Sequence, residues 1–247
     1  MKISIITVSF NAADTISDTI RSVQAQSYNN IEHIIIDGNS TDGTQDTVKR
    51  MADLKTVFIS EPDCGLYDAM NKGIDRATGE VVGILNADDY FASAGALACV
   101  ATQFSHHGEV EAVLGDIAFI DGQQVITRRY DSGRFKPDRT RWGLMPAHPG
   151  MYMKRSAYNQ IGPYRIDMKI AADFDFVVRA FTCARLPFVH LPEVLVHMRP
   201  GGASTESWKS RLTINREVVQ ACRDNGIYTN LAMVMSKYPL KMMELIR

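Results

Sequence analysis

Two adjacent carboxylates, Asp88 and Asp89, interrupt an apolar run in VVGILNADDYF, residues 81–91. At the end of a buried strand such a pair offers hard oxygen ligands suited to Mg²⁺ or Mn²⁺, and leaves most of the coordination shell to phosphate and water. An acidic turn has the same composition, so the pair alone leaves both readings open. Asp37 closes another apolar run, IEHIIID. There a carboxylate either accepts hydrogen bonds from a nucleobase or ribose or caps the helix after STDGT. Asp173 and Asp175 stand in KIAADFDFVVRA at the start of an apolar helical stretch. Two residues apart on a helical turn, they point in different directions, so only one faces any one substrate.

The elements that position these groups follow from hydrophobic period. ISIITVSF is a dense β-branched run, and Ile16, Ile20 and Val23 then recur at helical spacing across 15–26. The alternation continues through IEHIIID, a helix over 45–51, TVFIS, a helix over 67–77 and EVVGIL. Alternating strands and helices predict an α/β fold with a mostly parallel sheet covered on both faces, and ligands in crevices beyond the carboxyl ends of its strands. Asn11, Asp37, Glu61 and residues 86–89 all fall just past such ends. In the helix over 67–77, Asn71 and Lys72 are candidate polar contacts.

The second half reads differently. Residues 112–119 and 124–129 are predicted to form a hairpin about Asp121-Gly122. The basic stretch RRYDSGRFKPDRTRW, 128–142, is either a solvated loop or a mobile flap that attracts a phosphate-bearing substrate. GMYMK, FVHL and VLVHM read as short strands, and 173–182, 207–223 and 231–246 as helices.

Composition narrows the classes. A chain of 247 residues that is 45% hydrophobic can bury a large core. Its 27 Lys and Arg nearly balance 28 Asp and Glu, so no nucleic-acid partner is expected and any anion site must be local. Cys64, Cys99, Cys183 and Cys222 are widely separated without a C-x-x-C pair, as expected for free thiols in a reducing cytosol. MKISIITVSF lacks the features of a signal peptide, and no run approaches the ~18 apolar residues of a membrane span. No G-x-G-x-x-G follows the first strand and no G-x-x-x-x-G-K-[ST] occurs, which sets aside other nucleotide-binding α/β enzymes.

Taken together, SIITVSFNAADTISDTIRSVQAQSY, IIIDGNSTDGT, EPDCGLYDAMNKGIDRATGEVVGILNADD and AADFDFVVRA make the chain resemble the family 2 glycosyltransferases over roughly residues 1–185. The resemblance implies the GT-A nucleotide-sugar fold: a catalytic domain over 1–205, with a nucleotide-sugar half to about 110 and an acceptor half beyond it, and a helical extension over 206–247. It implies a divalent cation, Mn²⁺ or Mg²⁺, held by Asp89 and Asp88. Ser9 and Asn11 then line the nucleotide pocket, Asp37 contacts the base and Asp88 also contacts the ribose. Asp173 becomes the base that deprotonates the acceptor hydroxyl, with Asp175 as runner-up. His148 in PAHPG falls near donor or acceptor. From the residues themselves, Arg199 in HMRPGG either approaches the diphosphate or serves the structure, and His197 beside it reads as structural. Two departures from the family pattern stand out: Gly38 where many relatives have a second acid, and Asn86 where they have an aspartate.

The resemblance implies an inverting transferase that moves a sugar from a nucleotide-sugar donor, a UDP-sugar first among them, to a glycan or lipid-linked saccharide acceptor in bacterial surface polysaccharide synthesis. The alternative is a sugar-nucleotide-binding or regulatory protein without turnover. The C-terminal LAMVMSKYPLKMMELIR mixes apolar and basic residues. It is expected either to pack on the domain or on a second subunit of a homo-oligomer, or to dock on an anionic membrane. The expected location is the cytoplasm, at the inner face of the cell membrane.

Overall fold

A computed structural model describes residues 1–200 and 208–238, with the side chains of residues 208, 209 and 211 left aside. The alternation expected in the first half is present: β1 (Ile3–Ser9), α1 (Ile16–Gln24), β2 (Ile31–Asp37), α2 (Thr44–Met51), β3 (Thr56–Ser60), α3 (Leu66–Arg76) and β4 (Val81–Ile84). Every residue of β1, β2 and β4 is buried, as an Ile- and Val-rich strand covered on both faces must be. Next come β5 (Tyr90–Phe91), α4 (Ala96–His106), β6 (Ala112–Ile120), β7 (Ile126–Tyr130), β8 (Met151–Lys154), α5 (Arg155–Ile161), α6 (Ala172–Val177), β9 (Phe188–Met198), α7 (Trp208–Asp224) and α8 (Leu231–Met235).

The strands form one mixed sheet in the order β3-β2-β1-β4-β8-β6-β9-β5, with β7 paired to the outer part of β6. The β3-β2-β1-β4 half is parallel. Its register aligns Ser9 with Asp37 and Asp37 with Ser60, bringing three strand ends to one edge. β8 then runs antiparallel between β4 and β6. Gly83 of β4 is required there, because a Cβ would lie 2.4 Å from the Tyr152 ring of β8. One apolar layer packs α3, α5, α6 and α7 on one face of the sheet, and another packs α4 on the opposite face.

Several elements differ from the sequence pattern. FVHL and VLVHM form one strand, β9, and its pairing with β6 shifts register around Asp116, so the chain bulges past Pro192 instead of breaking. The helix expected over 173–182 starts at Ala172 and becomes a π-helical segment from Val178 to Cys183. The basic stretch 128–142 is not a loose flap. Two short 3₁₀ segments hold it, Phe135 is buried against Phe181 and Phe188, and Thr140 Oγ1 lies 3.1 Å from Thr182 Oγ1. Arg129, Arg134, Lys136, Arg139 and Arg141 nevertheless point outward.

In the region expected to be an extension, Val218, Ala221 and Cys222 of α7 belong to the same apolar layer as Phe176 and Val177. The expected helix beyond α8, with Lys241 and Arg247, and the glycines after Arg199 lie outside the described residues. No described helix is long and apolar enough to cross a membrane.

Candidate functional site

A cavity of about 570 Å³ opens past the carboxyl ends of β1, β2 and β3, and its lining includes Ser9, Phe10, Gly38, Asp63 and Leu66. Phe10 is 67% exposed, an aromatic face that no packing explains. Asn11 has φ 49°, a left-handed conformation that asparagine tolerates better than most residues. Its N–H donates to Ser40 Oγ at 2.8 Å and its Oδ1 accepts from the Thr41 N–H at 3.0 Å. Asn11 therefore shapes the loop after β2, while Ser9 reaches the cavity wall.

Asp37 is fully buried. Its Oδ1 accepts from the hydroxyls of Ser9 (3.1 Å) and Ser40, and its Oδ2 from the Ser40 N–H (2.9 Å) and the Ser60 hydroxyl (2.7 Å). Both carboxylate oxygens of Asp37, the expected base contact, are doubly engaged within the protein, and they tie three strand ends together.

The loop after β4 is the opposite case. Asp89 is 1% exposed; its Oδ2 accepts weakly from Asn86 Nδ2 at 3.3 Å, while Asp89 Oδ1 and Asn86 Oδ1 are buried without a hydrogen-bond partner. Burial, reinforced by the neighbouring charge of Asp88, pushes the Asp89 carboxyl well above the usual carboxylate range. Two orphaned buried oxygens in one loop, beside the half-buried Asp88, form a donor set that fits a hard divalent cation. Asn86, the departure from the family pattern, still presents an oxygen.

Arg199, expected at the diphosphate, is engaged within the protein. Its Nη2 pairs with Asp18 at 2.5 Å, its Nη1 donates to the Asp88 carbonyl at 3.3 Å, and its guanidinium lies 5.2 Å from the Tyr90 ring centroid. It clamps the end of β9 onto α1 and the acidic loop. His197 packs edge-on against Tyr90, a structural role.

Asp173 sits near the start of α6, half-buried, its Oδ1 accepting from the Phe174 N–H at 2.7 Å and the Tyr67 hydroxyl at 3.3 Å. Burial raises its carboxyl above the ordinary value, partly offset by nearby His148. His148 is 8% exposed, burial lowers its affinity for a proton, and its Nε2 lies 2.9 Å from the Tyr164 hydroxyl. Tyr67 connects the two halves of the site: it follows Leu66, which lines the cavity, and its hydroxyl donates to the Ile170 carbonyl as well as to Asp173.

Asp175, the runner-up base, is enclosed by the protein's own groups. It is 1% exposed, with Oδ2 accepting from Arg179 Nε at 2.8 Å and Oδ1 from Asn225 Nδ2 at 2.9 Å, so it ties α6 to the end of α7. Asn71 and Lys72 are likewise structural. Asn71 exchanges two hydrogen bonds with the Tyr164 backbone, and Lys72 donates to the Pro62 carbonyl while pairing with Glu61 and Asp68.

Among the described residues, Asp116, Asp131 and His190 also bring three ligand-type atoms within 4.8 Å of one another. This group is separate from Asp88 and Asp89. Asp116 Oδ1 is already engaged by the Ser132 N–H and by His190 Nε2, each at 2.9 Å, which fixes the turn after β7 to the sheet. Sequence reasoning missed Phe10, Asp63, Tyr67 and Tyr164. Phe10 and Asp63 follow strand runs, the placement that singled out Asn11 and Glu61; for the two tyrosines, a buried hydroxyl in need of a partner was the available signal.

The model of the family described as "Glycosyl transferase family 2" matches residues 4–162. A PGL/p-HBAD biosynthesis glycosyltransferase of Mycobacterium tuberculosis is 32% identical over 182 residues, covering 72% of this chain and 69% of the relative. The Escherichia coli UDP-Glc:alpha-D-GlcNAc-diphosphoundecaprenol beta-1,3-glucosyltransferase WfaP is 33% identical over 149 residues, 58% of this chain and 55% of that protein. Staphylococcus aureus TarS 1-349 superposes with a TM-score of 0.70 at 18% identity, over 90% of this chain and 65% of that one. The Pyrobaculum calidifontis mannosyltransferase PcManGT, solved with GDP-Man and Mn2+, gives 0.67 at 20% identity, over 90% and 63%. The solved structures carry the fold, a mixed α/β sheet of GT-A type, and the matched family model with the relatives above 30% identity carries the kinship: the chain belongs to glycosyl transferase family 2.

Proposed function

We propose that the chain is an inverting, metal-dependent hexosyltransferase. It moves a sugar from a UDP-sugar to a hydroxyl of a glycan or lipid-linked saccharide in bacterial surface polysaccharide synthesis. The observation that carries this is the pair of orphaned oxygens on Asn86 and Asp89, in the loop after β4, when the neighbouring strand ends open into a cavity with an exposed aromatic wall.

In this reading the cavity takes the nucleoside, with Ser9 on its wall. Asp89, Asn86 and Asp88 would hold a divalent cation, which would supply positive charge to the departing diphosphate. Asp173 accepts the proton of the acceptor hydroxyl as its oxygen attacks the anomeric carbon and the nucleoside diphosphate leaves from the opposite face. The raised proton affinity of Asp173 suits a base that must hold that proton. His148 orients the acceptor side through Tyr164.

WfaP, by its name, uses UDP-glucose and a diphosphoundecaprenol-linked acceptor. An acceptor of that kind would bring this enzyme to the inner face of the membrane. Vesicle flotation of the full chain against one ending at residue 238 tests whether the C-terminal segment contributes.

The function test is a binding screen of UDP-, GDP-, CDP- and ADP-sugars with and without Mn²⁺, followed by turnover and product stereochemistry with the donors that bind. Metal-dependent binding of a UDP-sugar with inversion is expected; failure of every donor with metal present would sink the reading.

A further inference from the structure

We infer that Asp63 reads the nucleobase and selects a uracil-type ring. This rests on the nucleotide-sugar reading and names the base which that pocket takes. Asp63 lies in the turn between β3 and α3, and its Oδ1 accepts the Gly65 N–H at 2.8 Å. That bond orients the carboxylate, and the other oxygen extends over Gly38: a Cβ on residue 38 would lie 2.6 Å from Asp63 Oδ2 and 3.2 Å from the Phe10 ring. Glycine at 38 is what lets the carboxylate of Asp63 enter the cavity.

The cavity therefore joins a flat apolar wall, Phe10, to one carboxylate oxygen beside it. A base stacked on Phe10 would present its ring edge to Asp63. Asp37 cannot serve, because its four donors already saturate it. An ionised carboxylate only accepts. Uracil offers it a ring N–H between two carbonyls, whereas cytosine and adenine carry a lone pair at the corresponding ring nitrogen. Guanine presents two adjacent donors and matches a carboxylate with both oxygens open; here Gly65 holds one. The chemistry that fits is a single imide N–H.

The experiment is calorimetric titration of UDP, CDP, ADP and GDP into the full chain in Mn²⁺. Wild type is expected to prefer UDP by about tenfold or more, as for one hydrogen bond to a charged group. Asp63→Asn retains an oxygen for the Gly65 N–H while turning the acceptor over Gly38 into a donor. It is expected to lose that preference and to improve CDP binding. Asp63→Ala with Gly38→Asp returns a carboxylate to the same space from the opposite wall and is expected to restore the preference; Gly38→Asp alone, colliding with Asp63, is not. A UDP:CDP ratio unchanged by Asp63→Asn, a wild type that favours another base, or a double variant as indifferent as Asp63→Ala would each overturn the inference while leaving nucleotide binding intact. A wild type that binds no nucleoside diphosphate defeats the nucleotide-sugar reading itself.

Discussion

Asp37 ends β2 and the Asp89 loop follows β4, the two strands that flank β1, and their surroundings are opposites. Asp37 receives four hydrogen bonds from three serines, whereas Asp89 keeps one buried oxygen with none. The contrast recurs within one turn of α6, where Asp175 is closed off by Arg179 and Asn225 and Asp173 holds only a backbone N–H and a long tyrosine contact. A carboxylate whose lone pairs are filled by its own protein is scaffold. One left short of partners remains available to a cation, a proton or a substrate.

Asp173→Asn is the strongest way to break this comparison. It preserves shape and removes the base, so turnover should fall by about 10²–10⁴-fold while the affinity for donor stays unchanged. In wild type, kcat/KM should decline as pH falls through the raised carboxyl value, because the base must be ionised. The acid limb is therefore expected above the ~3.9 of an ordinary aspartate. Full turnover in the variant, or an acid limb at or below that value, would return Asp173 to the scaffold class.

Asp175→Ala should behave in the reverse sense. Removing it strands part of Arg179 and frees Asn225, costing about 3 kcal/mol of stability, while kcat at a temperature where the variant stays folded should match wild type. A loss of kcat out of proportion to the loss of folded protein would mean that the two aspartates had been assigned the wrong way round.

The parallel half was legible because its strands are continuous Ile and Val runs and its helices repeat at 3.6 residues. α4 received no assignment, although Leu97, Val100, Ala101 and Phe104 have helical spacing, because the small residues between them blur the polar face. The site was legible as residue types at strand ends, but not as roles. Nothing in IIIDGNS tells that Ser9 and Ser60, from other strands, fill Asp37, since that depends on sheet register. Nor does HMRPGG tell that Arg199 meets Asp18, 181 residues away. Asp175 and Asp173 look alike in sequence because the partner that separates them, Asn225, comes from α7's far end.

Asp37→Ala tests the scaffold side of the comparison. Ser9, Ser40 and Ser60 would lose their common acceptor, with an expected cost of about 2 kcal/mol, near 4–8 °C in melting temperature at a few degrees per kcal/mol for a chain of this size. Donor affinity should weaken because the pocket edge loosens, and UDP should remain preferred over CDP, since the base contact is assigned elsewhere. Loss of that preference would make Asp37 a reader after all.

Asp89→Asn is the smallest expected effect and the sharpest, because it should move stability and metal binding in opposite directions. In the metal-free protein the substitution replaces a buried, poorly partnered carboxylate with a neutral amide of the same shape. A gain of about 1 kcal/mol follows, some 2–4 °C in melting temperature. With Mn²⁺ present the order should reverse: wild type gains stability from the ion and the variant gains less, because an amide oxygen is a weaker ligand than a carboxylate. Paired melting curves with and without Mn²⁺ read both quantities. If Asp89→Asn melts lower than wild type without metal and responds equally to it, Asp89 belongs with Asp37, and the cation must be held by other groups.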